Sequence, residues 1–296
     1  INQVDVNRNY DHYWNTCPTT QPGSSAFSES ETAANSDYMN TAVPDADLYV
    51  TMHTGVWIML YPWGKWPEQP ADWELYHQIR EDVNNDISSI PIQNANQGLY
   101  PNCGTSRDYG YGVMGYPTFT FETDDEQFVP GSVENLNERL GEELDVMKYL
   151  ISNVWYWRAR LDVQSLEVSD EEITIDVSNY GQASTSNATL RYVDANGEPL
   201  WESPFFAVNA TNSSVITLDG QNLTMVDGGS WDLYYQVRVI ESSRWVTEPI
   251  NASVPVMVEN EESNFLIGYG LFNPITMIAG FAAIAAFVQR EESDEE

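Results

Sequence analysis

Basic side chains are scarce in this chain. Lys65 and Lys148 are its only lysines, and Lys plus Arg total 12 against 45 Asp plus Glu, a formal net charge of -33 over 296 residues. A surface that acidic repels phosphate backbones and anionic lipid headgroups, which excludes nucleic acid as a partner. It suits a salty medium, where screening removes the self-repulsion. Cysteine is as thin: Cys17 and Cys103 are the only two. They are too few for a disulfide framework and match no zinc-knuckle spacing. One bridge between them and two free thiols are both open. Internal repeats, low-complexity tracts and a visible signal peptide are missing as well.

What is present is a hydrophobic share of 42%, enough to bury a core in a chain of this length. Near the end, "FLIGYGLFNPITMIAGFAAIAAFV" runs uncharged from Phe265 to Val288, long enough to cross a hydrocarbon core of ~30 Å as one helix. Five Asn-x-Ser/Thr triplets, at Asn187, Asn209, Asn212, Asn222 and Asn251, point to a surface exposed outside the cell.

The pattern changes along the chain. Up to about Arg160, "DLYVTMHTG" reads as a buried strand, "DWELYHQIREDVNNDI" as an amphipathic helix and "YPTFTFET" as another strand, an α/β signature. "SVENLNERLGEELDVMKYLISNVWYW" reads as a last helix packing on the sheet through Val133, Leu136, Leu140, Leu144, Met147 and Leu150. From Leu161 to Val258 the period drops to two, as in Ile173, Ile175 and Val177, and Asn196-Gly197 is a hairpin signal. That region is expected to be an antiparallel, immunoglobulin-like β-sandwich. Its Trp201 and Trp231 are candidate carbohydrate contacts, with core packing the stronger reading.

Polar residues that close apolar strands are the places where α/β proteins build sites. Here they are Asp5, Asn7 and Arg8, then His53 and Thr54, then Glu122. Their surroundings resemble the zinc metallocarboxypeptidases of the pancreatic carboxypeptidase A type. "VDVNRNYDHYW" resembles that family's Asp-x-Asn-Arg-Asn-aromatic segment, and "GSSAFSESETAA" the stretch that follows it. "HTGVWIMLYPWG" is similar to the strand exit after a ligand histidine. "LYPNCGTSRDYGYGVMGYPTFTFET" is similar to the run from the mobile tyrosine to the catalytic Phe-Glu.

The resemblance implies a role for each residue. Arg8, with Asn7 and the Tyr100 hydroxyl, would grip a free C-terminal carboxylate through its planar fork, and Asn9 closes the motif. His53 would be a zinc ligand, Glu122 the general base, and Asp5 a carboxylate orienting another zinc histidine. Thr54 stands where the family usually has Ser. Arg107, before Asp108, falls at the floor of the pocket for the last side chain, where it would favour substrates ending in Glu or Asp. A disulfide between Cys17 and Cys103 would rigidify the tyrosine loop.

The family's His-x-x-Glu motif and its oxyanion arginine do not occur in this sequence. The expectation is therefore the C-terminal part of a longer protein, whose zinc takes two further ligands from upstream. The organisation expected is an incomplete three-layer α/β/α mixed-sheet domain (residues 1–160), the sandwich (161–258), a polar stalk (259–264), the transmembrane helix (265–288) and an acidic tail (289–296). The function expected is a membrane-anchored, single-pass carboxypeptidase acting on extracellular peptides. Its alternatives are an amidase on cell-wall-type peptides and an inert surface binding module.

Overall fold

The computed structural model describes residues 4–18, 21–123, 132–169 and 172–250, and the backbone of 256–260 and 263–268. Its first half is built on a four-stranded mixed sheet in the order β1 (Tyr49–His53), β4 (Thr118–Thr123), β2 (Trp57–Tyr61), β3 (Ile92–Asn94). β1 runs parallel to β4 and β3 parallel to β2, while β2 and β4 are antiparallel. Alternation of side chains along β4 divides the labour between faces. Phe119 and Phe121 point into a core with Met59, Tyr61, α2 (Trp73–Asp86) and the end of α5 (Val133–Asn153). Thr118, Thr120 and Glu122 have the opposite parity and so face the other side. On that side lie α1 (Ser30–Thr41), α3 (Ala95–Gly98) and α4 (Ser106–Gly112). Helices on both faces give the three layers expected.

Two expectations for this half need correction. β1 is an edge strand rather than a buried one: among the described residues it has a neighbour on one side only, and Met52 is 52% exposed. Nor does α5 bury the full apolar stripe. Its packing residues are Val146 and Leu150, with Met147 and Tyr149 alongside, whereas Val133 is 75% exposed and Leu136, Leu140 and Leu144 are exposed with it. Only the last turns of α5 reach the core. The first residues also differ, since Val6–Arg8 form a single 3-10 turn capped by the Asp5 carboxylate.

The second half contains β5 (Leu161–Ser169), β6 (Glu172–Asn179), β7 (Thr185–Val193), β8 (Pro199–Glu202), β9 (Phe206–Val208), β10 (Ser213–Asp219), β11 (Ser230–Gln236), β12 (Trp245–Pro249), β13 (Val256–Asn260) and β14 (Ser263–Gly268). One sheet has the order β10-β6-β5-β13-β14, the other β12-β11-β7-β8 with β9 also on β7. Their inner faces meet in one core, where Ile173, Ile175 and Val177 oppose Leu190, Leu233 and Tyr235. The period of two was legible for this reason. Asn196-Gly197 does turn the β7–β8 hairpin, with Gly197 at φ +83°.

The two sheets are not purely antiparallel as expected, because β13 pairs parallel to β5. Trp231 is buried in the core and Trp201 packs against it, so neither offers a sugar-binding face. Phe265–Gly268, expected to open the transmembrane helix, belong to β14. The remainder of that run, the acidic tail and the Asn251 triplet lie outside the described residues. Among the described residues no helix is long and apolar enough to cross a membrane. Of the other triplets, Asn209, Asn212 and Asn222 are exposed, while the Asn187 amide donates to Gln236 at 2.6 Å.

Candidate active site

The sheet presents His53 and Glu122 side by side, because the two are register partners in the parallel β1–β4 pair. Glu122 also faces Ile58 of β2, which places it centrally in the sheet and leaves it 8% exposed. Burial raises its carboxyl to about 7, against the opposing pull of the Arg107 and Arg8 charges. The same surroundings act on His53. Burial, then Arg107 and Arg8, lower its pKa, with Asp5 opposing, so near pH 7 the ring is neutral.

Arg8 arrives from the 3-10 turn. Its Nη1 donates to the Asn7 carbonyl at 2.6 Å and its Nη2 to the Tyr100 hydroxyl at 3.0 Å. Its buried Nε has no hydrogen-bond partner among the described residues. A guanidinium so held keeps donor capacity for an incoming carboxylate. Asn7 is fixed from two sides: its Oδ1 accepts from the Ser106 backbone N–H at 3.0 Å, and its Nδ2 lies 3.4 Å from His53 Nε2. Asn9 is buried and organises the loop before α1, donating to the Pro22 and Ser25 carbonyls and accepting from Thr32 and the Glu29 N–H.

Cys17 and Cys103 are joined as a disulfide, which ties the loop bearing Tyr100 to the segment after Arg8. Gly104, next in that loop, sits at φ +65° with the Arg8 carbonyl 2.4 Å from where a Cβ would be. Only glycine permits that approach.

Arg107 is 2% exposed and turned inward. Its Nε donates to Asp108 Oδ1 at 3.0 Å, its Nη2 to Asn102 Oδ1 at 2.9 Å and its Nη1 to Thr120 Oγ1 at 3.4 Å. Asp108 in turn accepts from the Gly64 N–H at 2.9 Å, and a side chain on Gly64 would strike Asn102 and Arg107. These groups all open on one cavity of about 230 Å³ that Asp5, Asn7, Arg8, His53, Thr54, Tyr100, Arg107 and Glu122 line together. Asp5, Asn7, Arg8, His53, Tyr100, Arg107 and Glu122, singled out in the sequence for the site, are therefore at one place. Leu60, Leu99, Asn102 and Thr120 complete the lining and were not foreseen. All four lie in segments already marked, and Asn102 stands nearest the selected residues, between Tyr100 and Cys103.

The cavity does not hold the ligands of a metal by itself. Among the described residues no three His, Cys, Asp or Glu side chains form a metal-holding group. His53 is the histidine that lines the cavity among the described residues, and Asp5 directs its carboxylate to the Asn7 N–H. The described residues do not make up a complete zinc site.

Comparison with known proteins agrees with the geometry over the first half of the chain. Residues 1–140 match the zinc carboxypeptidase family model. Zinc carboxypeptidase A 1 of Drosophila melanogaster is 30% identical over 160 residues, which are 45% of this chain and 37% of that protein. Human mast cell carboxypeptidase A is 28% identical over 139 residues, 42% of this chain and 32% of the relative. The chain thus spans about a third of the length of the curated relatives it matches. Among solved structures, thrombin activatable fibrinolysis inhibitor aligns with a TM-score of 0.45 at 24% identity, covering 51% of this chain and 43% of that one. The segment 1–140, which carries the whole lining of the cavity, is the part of the chain that is similar to the zinc carboxypeptidases.

Proposed function

We propose that this chain supplies the substrate-binding and proton-accepting part of a metallocarboxypeptidase that removes C-terminal residues, acidic ones first, from extracellular peptides. The observation that carries the reading is the convergence of Arg8, Tyr100, Arg107 and Glu122 on one cavity. Arg8 and Tyr100 take the terminal carboxylate, which sets the register of the peptide and makes the enzyme an exopeptidase. The last side chain then enters toward Arg107. A carboxylate there meets a guanidinium already oriented by Asp108 and Asn102, whereas an ammonium would be repelled. Glu122, with its carboxyl raised to about 7, is poised to accept a proton from the attacking water near neutral pH. His53 is one ligand of the family's zinc, and two further ligands come from outside residues 1–296.

Calorimetry with two N-acetylated tripeptides identical but for a C-terminal Glu acid or its α-amide tests the carboxylate grip. The acid is expected to bind, with Arg8→Gln weakening it at least 30-fold, about 2 kcal/mol for a charge-assisted pair. Equal binding of acid and amide would overturn the reading.

One observation favours a second reading, a carboxylate-binding surface module that does not cut: His53 is without companion metal ligands among the described residues. Retention of peptide binding with no hydrolysis in zinc, by a longer protein containing this chain, would select it. We further propose that the uncharged run within residues 269–288 anchors the protein in a membrane with the cavity outside the cell. Release from membranes by an alkaline carbonate wash would overturn that.

A further inference from the structure

The connection between β11 and β12 does more than turn a hairpin. Val237–Arg244 leaves the sandwich and packs against the α/β half, and it is held rigid from within. Gln236 Nε2 donates to the Glu241 and Ser243 carbonyls at 2.7 and 3.1 Å, and Ser243 Oγ donates to the Arg238 carbonyl at 3.0 Å. From this frame Arg238 reaches into the protein and is 1% exposed. All three of its nitrogens find partners outside the sandwich. Nε donates to the Trp157 carbonyl at 3.1 Å, Nη1 to the Gly115 carbonyl at 3.1 Å and Nη2 to Asp47 Oδ1 at 3.4 Å. Asp47 is shared, since Arg244 Nη2 from the same hairpin contacts both its oxygens at 3.1 and 3.3 Å.

Gly115 is where this matters. It has φ +73°, and a Cβ there would lie 2.6 Å from the Ser242 carbonyl oxygen and from Ser243 Cα, so the hairpin backbone rests directly on a glycine. Ser242 Oγ adds a bond to the Tyr111 carbonyl at 3.4 Å. Gly115 lies in the short turn between α4, which begins Ser106-Arg107-Asp108, and β4, which carries Glu122. The two elements are stitched again by Thr118 Oγ1, which donates to the Arg107 carbonyl at 3.0 Å. A buried guanidinium with fixed fork geometry therefore sets the turn that spaces the pocket floor from the proposed base.

We propose that Arg238 is a positioning residue for the cavity, and that the β-sandwich is through it a built-in brace of the α4–β4 unit. Its consequence for peptide preference rests on the function proposed above; its structural part does not.

Hydrogen exchange read by mass spectrometry on the whole chain tests the brace in wild type, Arg238→Met and Arg238→Lys. In Arg238→Met the amides of residues 110–123 are expected to exchange at least tenfold faster while those of the β5–β6 pair keep wild-type rates. Arg238→Lys should restore part of the protection, because an ammonium replaces some of the donors. Unchanged exchange over 110–123, or acceleration spread equally through the sandwich, would overturn the proposal. Should Arg238→Met precipitate, Asp47→Asn removes the carboxylate that Arg238 and Arg244 share without opening a cavity. A threefold acceleration confined to the same segment supports the brace, and none overturns it. Calorimetry on the variants with tripeptides ending in Glu and in Leu completes the test, the Glu peptide expected to lose more affinity because Arg107 is displaced. Failure of wild type to bind either peptide would sink the proposed function, and the exchange pattern would still decide the role of Arg238.

Discussion

His53 and Glu122 face each other across the parallel pairing of β1 with β4, at the ends of both strands. Two chemically active side chains thereby share one wall of one cavity, and the sheet rather than any loop fixes their spacing. The arrangement keeps a carboxyl out of water, with measurable consequences.

Burial raises Glu122 to about 7, above the ~4.3 of an unfolded glutamate. Between those values the folded state binds more protons than the unfolded one, so stability falls as pH rises from about 4 to 7 and then levels. Glu122→Gln is expected to be more stable than wild type by roughly 2 kcal/mol at pH 8, after allowance for solvent screening, and equal to it at pH 4. Urea midpoints of protein kept in EDTA check this. A difference that does not change between pH 4 and 8 would mean that Glu122 is solvated.

Arg107, proposed to receive the last side chain, lines the cavity and balances Asp108 at 3.0 Å. Arg107→Gln is expected to abolish discrimination between peptides ending in Glu and in Leu, a shift of at least tenfold in the affinity ratio. It should also cost about 3 kcal/mol of stability, because the Asp108 carboxylate loses its buried counter-charge and is left with the Gly64 N–H. Calorimetry and thermal melts read the two effects separately. An unchanged ratio would turn Arg107 into a purely structural partner of Asp108.

How much of this was legible in the sequence follows from where the information sits. Arg8, His53, Tyr100 and Glu122 lie in short segments whose residue types and order carry the resemblance, so their meeting in space could be anticipated. Asn102 and Thr120 are ordinary residues that gain a role only by touching Arg107. Periodicity found α5 and its face, through Met147 and Leu150, but not its buried extent, because the pattern reports where apolar residues recur and not how far along the helix the core extends. The parallel β5–β13 pair and the reach of Arg238 are long-range facts with no local signature.

The Cys17–Cys103 disulfide closes a long loop, with 86 residues of sequence separation, that contains Tyr100 and ties it to the segment after Arg8. Constraint of the unfolded chain is expected to make it worth about 2–4 kcal/mol. Reduction, or the Cys17→Ser/Cys103→Ser pair, should lower the melting temperature and also weaken binding of the Glu-ended tripeptide, because the Tyr100 hydroxyl loses its fixed place 3.0 Å from Arg8. A lower melting temperature with unaltered affinity would show that the tyrosine loop is held by other contacts, such as the Gly104 carbonyl that accepts from the Tyr10 N–H.

The net charge of -33 bears on the fold as a whole. Like charges on a compact surface repel over the Debye length, ~10 Å in 0.1 M salt and ~3 Å in 1 M. The ion pairs that salt would weaken are few and exposed, as between Lys148 and Asp145, each worth under about 1 kcal/mol, whereas the Arg238 and Arg107 contacts are buried and little screened. Relief of repulsion should therefore win. The urea midpoint is expected to rise steadily between 0.1 and 1 M KCl, urea being chosen because it adds no ions. A midpoint that falls or stays level over that range would show that the acidic surface is already neutralised within the fold and that salt adaptation is the wrong account of this composition.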